Sequence, residues 1–451
     1  MPQYHGVRFT ARRQCEKHVV RESRPTEQVA VRQPIETAER VIGSEVTAQL
    51  ASDIQALAAI GRPSASPGEH AAARWVQGRL WAIGLTPQIE RFQFNPDYWV
   101  VWGAHGFLAL AAAGLCLGGR QTRRIASLVG LVAAVSFWGE LTTRLSLLRR
   151  LAPARTSYNV IARCSDNKEL PVLIVSAHHD APHSGLVFHP RVPRLLPSGL
   201  RWLTEPPAAL KAPFGGMLMI ALGAVAHAFG IRRRIVRRMT ALGAIINAVF
   251  LALMWNTART RVSPGANDNA SGVAALLALA RRCFSDPPAN LNVWVLSTGS
   301  EEGMLGGMQA FWSQHRRQLE GRRVYVLNLE VLGSGRPVYL EGEGHLGWRS
   351  YEGELLALAR ELSQAPPFVD VKPLKKPPFM TDAFITARRG VPSLTIASLD
   401  RDSRVAHYHW RTDLPENIDL ASVKAAYMFS HELIRQLAQD LQKQYGRRQE
   451  R

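Results

Sequence analysis

Cysteine is scarce: Cys15, Cys116, Cys164 and Cys283 are the four in 451 residues, and no two form a C-x-x-C pair. That spacing excludes a zinc knuckle and offers no disulfide framework. Acidic residues are also outnumbered, 36 against 55 lysines and arginines, which leaves a formal net charge of +19. Such a surplus would suit a nucleic acid. Much of it, however, lies in short arginine clusters beside apolar segments, RQTRR at 120–124 and RRRIVRR at 232–238. Clusters of that kind fit lipid headgroups and membrane topology better than a duplex-binding face, and no nucleic-acid-binding motif accompanies them. The first 44 residues contain no apolar run. They read as a polar, basic, disordered tail without a cleavable signal peptide.

What is present describes a folded chain. Hydrophobic residues make up 46% and charged residues 20%, and the length supplies ample core. From Val46 to Leu85 apolar positions recur at helical spacing, and the interruption at Gly61–Gly68 predicts two helices. Four apolar segments then follow in two pairs, at 99–119 and 125–138, and at 214–230 and 239–255. The first would rise about 31 Å as a helix, enough to cross a hydrocarbon core. Each pair reads as a helical hairpin closed by one of the arginine clusters. His105, His227 and Asn247 within them read as packing residues. Arginine in both tight turns places those turns in the cytoplasm and the remainder outside. Arg144, Arg149, Arg150 and Arg155 at the opposite ends keep a cytoplasmic catalytic part as the alternative.

Outside the hairpins the pattern is α/β. Candidate strands are Val172–Ala177, Leu291–Leu296, Val324–Leu329 and Ser393–Ala397, with helical runs at Gly272–Arg282 and Leu420–Gln442. The first strand runs into His178, His179 and Asp180. PGANDNASG holds Asp268 in a turn before a helix, which alone would read as an N-cap. SEEGMLGG follows the second strand and carries Glu301 and Glu302. VYVLNLEVLG ends the third strand on Glu330, and a carboxylate in so apolar a run is costly unless paired or metal-bound. AHYHWRTDLPENID supplies His407, His409 and Asp413 ahead of the last helix. Open α/β sheets gather ligands at strand ends. Two histidines and three carboxylates can hold two zinc ions if one carboxylate bridges, and a further carboxylate can act as general base.

These motifs, in this order, resemble the M28 family of zinc peptidases, the two-zinc aminopeptidases and carboxypeptidases. The resemblance covers roughly 45–98 and 143–445. It implies a three-layer α/β/α sandwich around a mixed sheet, interrupted by the two transmembrane hairpins. It implies two Zn2+ per chain: His178, Asp268 and Glu330 on one, and Asp268, Glu302 and His409 on the other. Glu301 would be the general base, and Asp180 would orient the His178 ring. Glu330 stands where the family usually has aspartate, and Asn267 replaces an acid often found before the bridging aspartate. His179, His183 and His407 are left as surface or supporting residues.

The expected organisation is a tail over 1–44, the peptidase domain over 45–98, 143–204 and 259–445, hairpins over 99–142 and 205–258, and a tail over 446–451. The expected protein is a multi-pass enzyme of the cell membrane, a zinc-dependent exopeptidase and more specifically an aminopeptidase, with peptides as substrate, lipid as its other partner, no nucleic acid and the oligomeric state left open. The alternatives are a glutaminyl-cyclase-like acyltransferase with one zinc, kept open by Glu330, and a non-catalytic membrane receptor or scaffold. A chain that had lost catalysis should have lost ligands or the base; this one retains both.

Overall fold

A computed structural model describes residues 29–165, 167–192, 206–231 and 233–449. The chain divides into two units, 1–45 and 46–451. Of the first, residues 1–28 lie outside the described residues, and helix α1 (Val29–Ala58) begins inside the stretch expected to be a tail.

The break foreseen between two helices falls between the end of α1 and the start of α2 (Pro67–Ile83). Ser66 caps α2 by accepting from the Glu69 N–H at 3.2 Å, and Pro67 fits the first turn, where no N–H partner is needed. Gly84 closes the helix with φ +101°, a left-handed conformation that glycine adopts without a Cβ penalty.

The centre is a mixed sheet of eight strands. In chain order they are β1 (Gln88–Phe94), β2 (Arg155–Arg163), β3 (Val172–His178), β4 (Asn292–Thr298), β5 (Val324–Glu330), β6 (Arg336–Leu340), β9 (Lys372–Leu374) and β10 (Ser393–Leu399). The numbers β7 (Gly342–Glu343) and β8 (Arg349–Ser350) belong to a separate two-stranded ribbon. Across the sheet the order is β1-β2-β4-β3-β5-β10-β6-β9. The middle four, β4, β3, β5 and β10, are mutually parallel, and every residue in them is buried. Strands covered on both faces read as continuous apolar runs, which is why these four were legible.

Alternate side chains feed two cores. Leu173, Val175 and Ala177 face one, shared with α2, α8 (Gly272–Ser285), α10 (Glu354–Leu362) and α12 (Leu420–Gln449). Val172 and Ile174 face the other, shared with α9 (Gly306–Leu319) and α11 (Ala383–Ala387). Helices therefore cover both faces of a mixed sheet, the α/β sandwich foreseen.

The second core continues into four further helices, α3 (Tyr98–Leu115), α4 (Arg120–Leu141), α6 (Pro206–Ala228) and α7 (Arg234–Thr257); a short α5 (Leu147–Leu151) follows α4. All four are long and apolar enough to cross a membrane. The stretch at 125–138, too short by itself, extends to 22 residues because the arginines of the preceding cluster form the first turn of α4. Close contact comes from small residues: a Cβ on Gly130 would sit 3.1 Å from Ala221 Cα, and one on Gly243 only 2.5 Å from Gly216 O.

Candidate metal centre

Parallel strands end on one side, so whatever they carry there is brought together. His178 is the last residue of β3 and Glu330 the last of β5, next to each other in the sheet. Glu301 and Glu302 lie in the turn after β4, Asp268 in the turn before α8, and His409 in the turn after β10. Ser300, Val331, His407 and His409 all have positive φ, between 46° and 59°, without being glycine. Strain of that kind collects where backbone is held for a site rather than for itself.

The seven residues singled out in the sequence meet. His178 Nε2 lies 3.0 Å from Glu330 Oε1, 3.2 Å from Asp268 Oδ1 and 4.0 Å from Glu301 Oε2. His409 Nε2 lies 3.2 Å from the other oxygen of Asp268, Oδ2, and 3.3 Å from Glu302 Oε2. Two ligand triads result, His178–Asp268–Glu330 and Asp268–Glu302–His409, each with its atoms within 4.8 Å. Asp268 belongs to both and turns one oxygen to each histidine.

Asp180 sits behind the triads. Its Oδ1 is 3.3 Å from His178 Nδ1, and its carboxylate accepts from Ser64 Oγ at 2.6 Å and from the N–H groups of Glu301 and Glu302 at 3.1 and 3.2 Å. One side chain thus fixes both the ring of His178 and the turn that carries the paired glutamates. Glu330 is steadied by Asn328 Nδ2 at 3.1 Å.

Burial and crowding set the electrostatics. Burial pushes Glu301 well above the usual carboxylate range, and the neighbouring Glu330 adds to this although His178 opposes it. Glu302 is raised by burial and by Asp268. Glu330 is raised by burial, against the pull of His178. For Asp268 burial pushes upward, but the contacts with His178 and His409 prevail and hold it below the ordinary value. Four carboxylates and two imidazoles crowded into a largely buried cluster are what a bound divalent cation would balance. Glu302 Oε1 and His409 Nδ1 are buried without a hydrogen-bond partner. The donor set, two imidazoles with carboxylate oxygens and one shared carboxylate, suits divalent zinc.

The remaining histidines stay out of the triads. His179 Nδ1 meets Ser297 Oγ at 3.0 Å, His183 Nδ1 meets the Thr260 carbonyl at 3.1 Å, and His407 Nδ1 meets Thr412 Oγ1 at 2.7 Å. Burial lowers the His179 ring to about 3, so it stays neutral.

Three supporting residues escaped the sequence reading. Arg62, fully buried, donates to the carbonyls of Leu57, Pro264 and Gly265 and so pins the loop before Asp268. Glu69 accepts from Ala65 N at 2.6 Å, Ser157 Oγ at 2.6 Å and Ser300 N at 3.1 Å, bracing the turn that leads to Glu301. Burial raises it to about 7. The S-x-x-E spacing from Ser66 reads as a helix cap and conceals this reach. Asp382 accepts from Thr298 Oγ1 at 2.5 Å and is likewise raised by burial to about 7. Asp413, noted only as part of its motif, accepts from the N–H groups of Asn267 and Asp268 at 2.7 and 3.1 Å.

Residues 244–434 match Peptidase family M28. That span holds Asp268, Glu301, Glu302, Glu330 and His409, and the geometry adds His178 and Asp180 from outside it. That stretch of the chain is similar to the M28 peptidases. A probable zinc metalloprotease of Pyricularia oryzae is 40% identical over 72 residues, 16% of this chain and 14% of that protein, so the match spans about a seventh of that relative. Among solved structures, an aminopeptidase from Aneurinibacillus sp. strain AM-1 is 14% identical with a TM-score of 0.48, covering 85% of this chain and 92% of that one. A glutaminyl cyclase of Porphyromonas gingivalis is 12% identical with a TM-score of 0.49, covering 87% and 98%.

Proposed function

We propose that the protein is a membrane-bound, zinc-dependent exopeptidase, an aminopeptidase that hydrolyses peptide bonds at a two-zinc M28 site. The observation that carries this reading is the pair of ligand triads joined through Asp268. His178, Asp268 and Glu330 would hold one zinc, and Asp268, Glu302 and His409 the other. When bound, zinc supplies Lewis acidity that makes water nucleophilic near neutral pH and stabilises developing negative charge on a carbonyl oxygen.

Glu301 is the general base: it accepts the proton of the attacking water and returns it to the leaving amine. Its burial favours the protonated form after that transfer. Asp180 keeps the His178 ring in register and, through the two backbone N–H groups, ties the position of the base to that of the ligand. The extra methylene of Glu330 is absorbed within the site, since its carboxylate reaches His178 Nε2 at 3.0 Å.

The four apolar helices would span the bilayer as two hairpins. Seven arginines, Arg120, Arg123, Arg124, Arg233, Arg234, Arg237 and Arg238, stand at the two turns. The turns lie side by side, with Cys116, Ala126 and Ala224 packed together there. Their charge puts that end in the cytoplasm and the catalytic domain on the far side. Protease accessibility of the catalytic domain in right-side-out vesicles tests the orientation.

The deciding measurement is zinc per chain in detergent-purified protein, for the wild type and for Glu330→Asp. Two zincs in both support the hydrolase. One zinc in the wild type rising to two in Glu330→Asp favours a cyclase-like acyl transfer, and none in either overturns metal catalysis.

A further inference from the structure

The segment that leaves β3 connects the catalytic cluster to the helices. Ala181 N donates to Arg62 O at 2.9 Å, and Ser184 N donates to Arg261 O at 3.1 Å. The His183 ring lies 4.5 Å from Trp99, in the first turn of α3. Leu186 N donates to Asn256 Oδ1 at 2.8 Å, in the last turn of α7. Two residues on, Phe188 sets its ring 4.4 Å from His409 and 6.0 Å from Tyr408. A single aromatic contact therefore separates a proposed metal ligand from a strap fastened to the ends of two apolar helices.

The turn with the paired glutamates is joined to the helices independently. A Cβ on Gly303 would stand 2.7 Å from Pro96 Cα, two residues before α3 begins. Tyr98, in the first turn of α3, is buried, carries a hydroxyl without a hydrogen-bond partner, and lies within electrostatic reach of Glu302.

The same ends of the helices carry the aromatic residues that mark a membrane–water boundary: Trp99 on α3, Trp138 on α4 and Trp255 on α7. Trp255 is 61% exposed, with the guanidinium of Arg259 3.6 Å above its ring, and Arg144 stands 5.5 Å over Trp138. Leu186, on the strap that is tied to Asn256 of α7, is 51% exposed.

We infer that the site takes peptides held at the membrane interface, chains anchored in the bilayer at one end whose other end projects only a few residues to Phe188 and His409. This rests on the peptidase and membrane-spanning readings above. Anchoring in the same bilayer raises the effective concentration of such a substrate, but only if the tether reaches the site. An extended residue spans about 3.3 Å, so a site at the aromatic boundary is reached by a short spacer and a site well above it is not.

The test uses the full chain reconstituted in dioleoylphosphatidylcholine vesicles. One soluble peptide is first digested and the trimmed end identified by mass. The same peptide is then given a two-chain palmitoyl anchor at the opposite end, with spacers of 3 or 12 residues. We expect the 3-residue form to be trimmed with a kcat/KM at least tenfold above the free peptide and no lower than the 12-residue form. If the free peptide is trimmed but the 3-residue form is trimmed no better, or only the 12-residue form gains, the interface inference falls while the peptidase reading stands. If none is trimmed in the presence of zinc, both fall.

Discussion

The two halves of this molecule sort the same residue types in opposite directions. In the sheet, Ile174, Val295, Leu327 and Ile396 are inside, and polar groups emerge at the strand ends. In α3, α4, α6 and α7 many large apolar side chains are outside: Phe107 is 62% exposed, Leu128 64%, Leu222 60% and Ile245 62%. Their polar residues are the buried ones. His105 meets the Val101 carbonyl at 2.7 Å and Ser136 Oγ at 2.9 Å, and Asn247 Nδ2 donates to the Gly243 carbonyl at 3.0 Å. Water explains the first arrangement; on the membrane-spanning reading proposed above, a surface of hydrocarbon would explain the second. Buried polarity also serves different ends. In the helices His105 and the Asn247 Nδ2 find partners among the helices and merely pack, as the sequence suggested, whereas at the strand ends four carboxylates crowd around two imidazoles.

That difference is broken most severely at Glu301. Glu301→Gln should cost at least about 10²-fold in kcat, the range for loss of a general base, with zinc content and melting temperature unchanged. Loss of zinc with the activity would mean that Glu301 is a ligand and that its role and that of Glu302 are exchanged. Membrane targeting should not change.

The site was legible because its chemistry is local: each ligand ends a buried strand or opens a turn, and neighbouring residues advertise it. The supports were not, because they come from far away in the chain. Asn159 lies in the middle of β2, yet it accepts from Gly299 N at 3.2 Å and donates to Gly307 O at 2.9 Å, holding the turn of Glu301 from the next strand. The outer strands were missed for a related reason. β1 reads QIERFQF and buries only Phe92, and β6 and β9 carry prolines, so neither gives a clean two-residue alternation. Charge was legible in kind but not in place. Arg149 counted against the topology as a cation at the wrong end of the helices; it is buried and paired with Glu140 at 2.5 Å, so it marks no membrane side.

The outward apolar face is the other half of the comparison. Phe107→Asp and Ile245→Asp each place a carboxylate mid-helix on that face. If it meets lipid, each costs about 3 kcal/mol of insertion, and the protein should fall out of the carbonate-resistant membrane fraction. If it meets water, both variants remain folded with little change, and the contrast between the halves collapses. Inside the bundle the effect is smaller. Gly243→Leu drives side-chain atoms into the Gly216 carbonyl and should destabilise by about 1–3 kcal/mol. Gly215→Ala, next to the same contact but with nothing within 4 Å of its added Cβ, should leave thermal stability nearly unchanged.

The mildest test lies in the catalytic half but away from its triads. Glu343 is wholly buried and accepts from Thr381 N at 2.6 Å, from Thr381 Oγ1 at 3.1 Å and from the Tyr351 hydroxyl. Burial raises it from 4.5 to about 8, outweighing those hydrogen bonds. Between those two values the unfolded chain has released this proton and the folded one retains it. Stability from this group is therefore full below pH 4.5 and is lost as pH rises toward 8. Glu343→Gln removes the ionisation while keeping an acceptor for Thr381, so its melting temperature should fall less than the wild type's between pH 5 and pH 8. Parallel curves would mean that Tyr351 and Thr381 hold Glu343 ionised in the folded protein. The catalytic half would then tolerate a buried carboxylate without a metal, and the carboxylates at the strand ends would call for a cation through their number rather than their burial.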